Sequence, residues 1–238
     1  MIVYGRNPVR EALRGRRARG VTQVWATAAA AHEPWLTGVQ TKACAADELE
    51  RLCGSSAHQG VCAEAGGYPY VGAHELVGVD SPLIVALDQV QDPQNLGSIC
   101  RTAECAGATG VVIAERRAAE VTPAACKASA GAVEHVRIAR VRNIADFLGE
   151  AREAGCWSYG ASADGDTVPY TAPDYRGGVV LVVGSEGSGL RPRVAGACDQ
   201  LVSLPLRGRM ESLGVAAATA ALLYGILQGR EAGLDKAP

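Results

Sequence analysis

Six short apolar runs constrain this chain more than any other feature: Leu83–Leu87, Gly110–Ala114, His135–Val141, Trp157–Ala161, Val179–Val183 and Leu201–Leu206. Each is of strand length, several are rich in Val and Ile, and stretches with helix signals lie between them. A run that is apolar at successive positions, rather than at alternate ones, suits a strand covered on both faces. Six such strands with intervening helices predict an α/β fold built on a mostly parallel sheet. Helix signals agree: Thr122 and Pro123 open one helix, Asn143 caps another that Gly155 closes, and Pro192 starts a third.

Upstream, residues 1–68 read as a separate small α/β unit, too small for the main catalytic body. The pattern predicts a helix after Asn7 and Pro8, a strand near Val21–Thr27, helices around Pro34–Val39 and Asp47–Leu52, and a strand at Gly60–Glu64. Turn formers without a clean period mark residues 69–80 as a linker, and residues 81–238 form the larger domain. Its last helix is expected from about Ser212 to Gly229, rich in Ala and Leu, with an exposed tail EAGLDKAP beyond it.

With 238 residues, 48% of them hydrophobic, the chain can bury a proper core. A net charge of −2 and a pI near 6.1 exclude nucleic-acid binding through bulk charge and leave only a local basic patch. The candidate patch is Arg6, Arg10, Arg14, Arg16, Arg17 and Arg19, on the first helix and the turn beyond it. It reads either as a solvated helix end or as a phosphate-contacting surface. The eight cysteines are scattered singly, with no C-x-x-C and no His at ligand spacing, so they read as buried thiols and no metal site is expected. No 18-residue apolar run or signal-peptide core is present, and the expected setting is reducing and cytoplasmic, without a membrane.

Three stretches share a plan in which a strand runs into a polar loop and then a helix, the position where ligands of open α/β sheets bind. In the first, NLGSICRTAECAG, Asn95 stands as the expected cap of a helix from about Leu96 to Ala106, with Gly97, Arg101, Glu104 and Cys105 on its polar side. Arg101 and Glu104 are spaced for a surface ion pair, while Asn95 and Arg101 at a strand end are placed for a ligand; both readings stand. In the second, VVGSEGSGL, Gly184, Gly187 and Gly189 permit tight turns, but Glu186 breaks the dinucleotide-binding fingerprint and would repel phosphate. In the third, LPLRGRMESLGVA, Ser212 is a favoured helix cap.

Together these three stretches resemble the ordered motifs of the SpoU/TrmH family of the SPOUT superfamily, RNA ribose 2′-O-methyltransferases that use S-adenosylmethionine. TPAACKASAGAVEHV resembles the segment between that family's first two motifs, and the match spans Leu83 to roughly Arg230. YGRNPVREAL and HQGV resemble the L30e-like RNA-binding domain of members that modify guanosine in large-subunit (23S) ribosomal RNA. The resemblance implies a C-terminal trefoil knot around the cofactor site, although knots are disfavoured in general. It also implies a homodimer joined through the last helix, with an active site shared between subunits. It carries Asn95, Arg101, Glu186 and Ser212 over as the catalytic set, and Gly184, Leu204 and Leu213 as positions whose backbone surrounds the cofactor.

Transfer to a ribose 2′-oxygen needs in-line alignment and help in losing a proton. His32, His58, His74 and His135 lie outside the three motifs. The resemblance casts Arg101 as a base, but a guanidinium is normally charged, so its preferred role is to hold the adjoining phosphate and stabilise negative charge on the 2′-oxygen. Direct proton acceptance, in surroundings altered by a partner subunit, is left as the alternative. Glu186 and Asn95 are expected to orient Arg101. One departure stands out: the family's third motif reads Ser-Leu-Asn, and here it is Ser212, Leu213, Gly214. The alternatives this raises are an RNA-binding or ribosome-assembly protein with impaired turnover, and a transfer RNA substrate in place of ribosomal RNA.

Overall fold

The computed structural model describes residues 1–163, 165–210 and 212–234. The N-terminal unit holds β1 (Ile2–Tyr4), α1 (Arg6–Ala12), β2 (Val21–Ala26), β3 (Thr41–Ala43), α2 (Ala46–Cys53) and β4 (Val61–Ala65). Its sheet order is β1-β4-β2-β3, with β4 antiparallel to both of its neighbours. The edge strands β1 and β3, three residues each, are too short to declare a period. The helix expected at Pro34–Val39 is only a 3-10 turn, Pro34–Leu36.

After α3 (His74–Val77), the second unit runs β5 (Leu83–Leu87), α4 (Pro93–Cys105), β6 (Gly110–Ala114), α5 (Pro123–Ala128), β7 (Ile138–Val141), α6 (Ile144–Glu153), β8 (Cys156–Ala161), β9 (Val168–Pro169), β10 (Gly178–Val183), α7 (Pro192–Ala195), β11 (Gln200–Ser203) and α8 (Val215–Leu234). The sheet order is β7-β6-β5-β10-β8-β11-β9, parallel at every pairing. The six expected strands are all present, and the two-residue β9 makes seven in this sheet among the described residues. Every residue of β5, β6 and β10 is buried, as their unbroken apolar runs require. Two strands are shorter than expected, because His135 follows a 3-10 turn at Ala132–Glu134 and the chain leaves the sheet after Ser203.

The stretch read as a linker is packed structure. Val71 bridges to Ala139, Leu76 is fully buried, and the Tyr68 hydroxyl donates to the carbonyls of Val133 and Val136 at 2.8 and 3.0 Å. One continuous apolar cluster therefore runs from Val3 and Val24 in the first unit to Leu96, Leu181 and Leu223 in the second.

The helix ends differ from expectation in two places that bear on function. The cap of α4 is Asp92, whose carboxylate accepts from the Gln94 amide at 2.9 Å, with Pro93 at the first helical position. Asn95 is thus inside the first turn and is not the cap. Gly97 belongs to the buried side of α4, where the helix packs on α5. The last helix starts at Val215 rather than Ser212 and continues to Leu234; of the expected tail, residues 235–238 lie outside the described residues.

Candidate active site

β5 and β10 are neighbours in the sheet, so the loops leaving their carboxyl ends meet. At the end of β5 stands Asp88, with no exposed surface, accepting from the Arg191 amide at 2.9 Å and from its Nε at 2.8 Å. A buried carboxylate is stable only when paired and hydrogen-bonded, and Arg191 satisfies both conditions. The pair ties the far end of the glycine-rich loop to the first strand of the site, across 103 residues of chain. The loop also closes on itself: Ser185 and Gly189 exchange backbone hydrogen bonds of 3.1 and 3.0 Å. At Gly184 a Cβ would stand 2.1 Å from the Gly189 carbonyl carbon, so only glycine allows this approach.

Glu186 is carried exposed at the tip of that loop. With Asn95, Asp92, Gln89, Ser185 and Val215 it lines a cavity of about 410 Å³. The cavity therefore joins all three strand-loop-helix stretches. Gly214 lies directly before α8, and its carbonyl accepts from the Ala218 amide at 3.0 Å. Its φ is +76°, and a Cβ built there would sit 3.6 Å from Glu186 Oε1. Gly214 is therefore not an interior helix residue, as a helix beginning at Ser212 would have made it. Ser212 and Leu213 precede it and are exposed, Leu213 by 52%, while Leu204 leaves β11 partly buried against the core.

Arg101 is placed elsewhere. It is six residues beyond Asn95 on α4, about 9 Å along the axis at roughly 1.5 Å per residue, and turned to another side of the helix. Within one chain no hydrogen bond or ion pair joins it to Asn95 or Glu186 among the described residues, and it lines a second cavity with Arg10 and His135. Nor does it pair with Glu104, so the surface ion pair is absent.

Of the N-terminal arginines, Arg6, Arg14, Arg16 and Arg19 are exposed and Arg10 is half-buried. Arg17 corrects the expected patch: only 3% exposed, it is ion-paired with Glu134 of the other unit. Burial opposes its charge, but the hydrogen bond and charge of Glu134 outweigh this and raise its pKa. It braces the two units and has no surface to offer a phosphate. Sequence reasoning missed Asp88 and Arg191; the signal was an acid directly after five apolar residues.

Two family models match the chain: the SpoU rRNA Methylase family over residues 82–224, and RNA 2′-O ribose methyltransferase substrate binding over residues 2–71. An uncharacterized tRNA/rRNA methyltransferase of Synechocystis is 35% identical over 99% of this chain, which spans 64% of that relative's length. The 23S rRNA (guanosine-2′-O-)-methyltransferase RlmB of Acinetobacter baylyi is 36% identical, over 79% of this chain and 77% of the relative. Among solved structures, the SpoU methyltransferase AviRb from Streptomyces viridochromogenes in complex with AdoMet superposes with a TM-score of 0.81 at 26% identity, covering 96% of this chain and 89% of that one.

Proposed function

The chain belongs to the SpoU rRNA methylase family, and on that premise we propose that it transfers a methyl group from S-adenosylmethionine to a ribose 2′-hydroxyl of RNA, with large-subunit ribosomal RNA as the substrate. The observation that carries this reading is the cavity in which Asn95, Glu186 and the start of α8 meet at the carboxyl ends of β5 and β10.

The residues present fit S-adenosylmethionine. The stretch from β11 to α8 presents Leu206, Met210 and Leu213, exposed by 38%, 78% and 52%, as apolar surface for a purine, and it ends beside Glu186. Backbone groups of Gly184, Leu204 and Leu213 would hold the cofactor, which when bound supplies an electrophilic methyl on a sulfonium. Asn95 and Glu186 orient the ribose, and Ser212 supports the same wall. Arg101, exposed and without an ion-pair partner among the described residues, holds the adjoining phosphate and stabilises the charge that develops on the 2′-oxygen as its proton passes to solvent water.

The distance along α4 between Arg101 and Asn95 supports a homodimer in which the site is shared, so that Arg101 of one protomer serves the cavity of its partner. Tyr224, 49% exposed on α8, supports placing that helix in the interface. We propose a knotted path around the cofactor, as the family resemblance implies, and a cytoplasmic setting, which the free cysteines support.

Gly214 favours one other reading, an RNA-binding protein that does not turn over. Incubation with labelled S-adenosylmethionine and ribosomal RNA separates the two. Label entering RNA at positions resistant to alkaline cleavage is the expected result. Cofactor binding without transfer to any RNA overturns the transferase reading.

A further inference from the structure

The second cavity, about 380 Å³, lies between the two units. Asn7, Arg10 and Glu11 of α1 face Arg101 and Glu104 of α4, and the buried Ser129 and exposed His135 complete the lining. The cleft is preformed, because the buried Arg17–Glu134 pair and the Tyr68 hydroxyl fix one unit on the other.

Its charges divide into two groups. Glu11 is occupied, accepting from Arg10 Nε at 2.7 Å and lying 2.9 Å from His135 Nε2. Burial works against its ionisation, but these two neighbours outweigh burial and hold its carboxyl below the usual range. Arg101 and Glu104 are different: they share the cleft without pairing with each other or, through their side chains, with any described residue. A bare anion would be repelled by Glu104 and a bare cation by Arg101. A nucleotide suits both, since a guanidinium binds phosphate oxygens and stacks on bases, while a carboxylate accepts from base amino groups.

We propose that this cleft is a subsite for one nucleotide of single-stranded RNA adjoining the methylated one, with its phosphate on Arg101 and Arg10 and an amino-bearing base edge on Glu104. The inference rests on the RNA-methyltransferase reading, and its test does not depend on catalysis. Removing a surface carboxylate from an RNA-binding face strengthens binding through simple electrostatics. Removing a base-reading acceptor weakens it.

The test is equilibrium binding of oligo(A), oligo(C) and oligo(U) single strands to the full chain, without cofactor. Glu104→Ala is expected to weaken oligo(A) and oligo(C) about tenfold. It should weaken oligo(U) less, because uracil has no exocyclic amino group. Arg10→Ala is expected to weaken all three. Unchanged or tighter binding by Glu104→Ala, or an equal loss on all three strands, overturns the subsite. Methyl transfer is measured on the same preparations: the expected base dependence without any transfer keeps the subsite and overturns the transferase reading alone.

Discussion

At Gly214 the backbone is held at φ +76°, in the left-handed region, where Asn is tolerated better than most side chains. A Cβ there meets Glu186 at ordinary contact distance, so there is room for the Asn that the resemblance leads one to expect, with the backbone strain that a side chain carries at this φ. Gly214→Asn is expected to keep or raise the transfer rate, checked by initial rates at saturating cofactor. Inactivation would mean that the site is rebuilt around glycine. Arg101→Ala should lower transfer by about 100-fold or more, as loss of an aimed charge does, with cofactor affinity unchanged by calorimetry. A large loss of cofactor binding would contradict its assignment.

Between elements, hydrogen-bonded carboxylates act as fasteners. Asp88 ties β5 to the loop after β10, and Asp199 ties β8 to the approach to β11. Asp199 accepts from the Ser158 amide at 2.8 Å and hydroxyl at 2.6 Å, and from Arg152 Nε at 2.8 Å. Burial favours its neutral form, but these hydrogen bonds outweigh burial and lower its pKa. A carboxyl whose pKa is lower folded than unfolded adds stability above its unfolded value, about 3.9, and loses it as pH falls through the folded value. Asp199→Asn should therefore lower the urea midpoint at pH 6 and flatten its decline from pH 5 down to pH 3. A parallel decline in both proteins would deny Asp199 this role.

For the molecule as a whole, the Arg17–Glu134 pair decides whether two units behave as one. Removing one partner of a buried pair leaves an uncompensated charge and costs roughly 3–5 kcal/mol. Arg17→Ala should lower the thermal midpoint markedly, and replacing both partners with apolar residues should recover much of the loss. If Arg17→Ala melts like the wild type, the pair does not brace the units. The same brace fixes the cleft that faces Arg101, so oligonucleotide affinity is expected to fall in Arg17→Ala as well.

The sheet was legible in the sequence because a strand buried on both faces leaves a local record: successive apolar residues, then a polar residue where it emerges. Asn95 and Glu186 were singled out through the family resemblance, on stretches that follow such runs, and neighbouring strands bring them into one cavity. The packed linker, the burial of Arg17, the clamp between Asp88 and Arg191, and the separation of Arg101 from Asn95 were not. Arg17 and Glu134 are 117 residues apart, and Asp88 and Arg191 are 103 apart. No local period encodes which distant charge an arginine will meet. Sequence by itself determined which strands and principal helices form and their order, with several of their ends displaced; tertiary structure decided where they end and which ends face each other, because caps, pairing and burial depend on contacts that form only when the chain has closed.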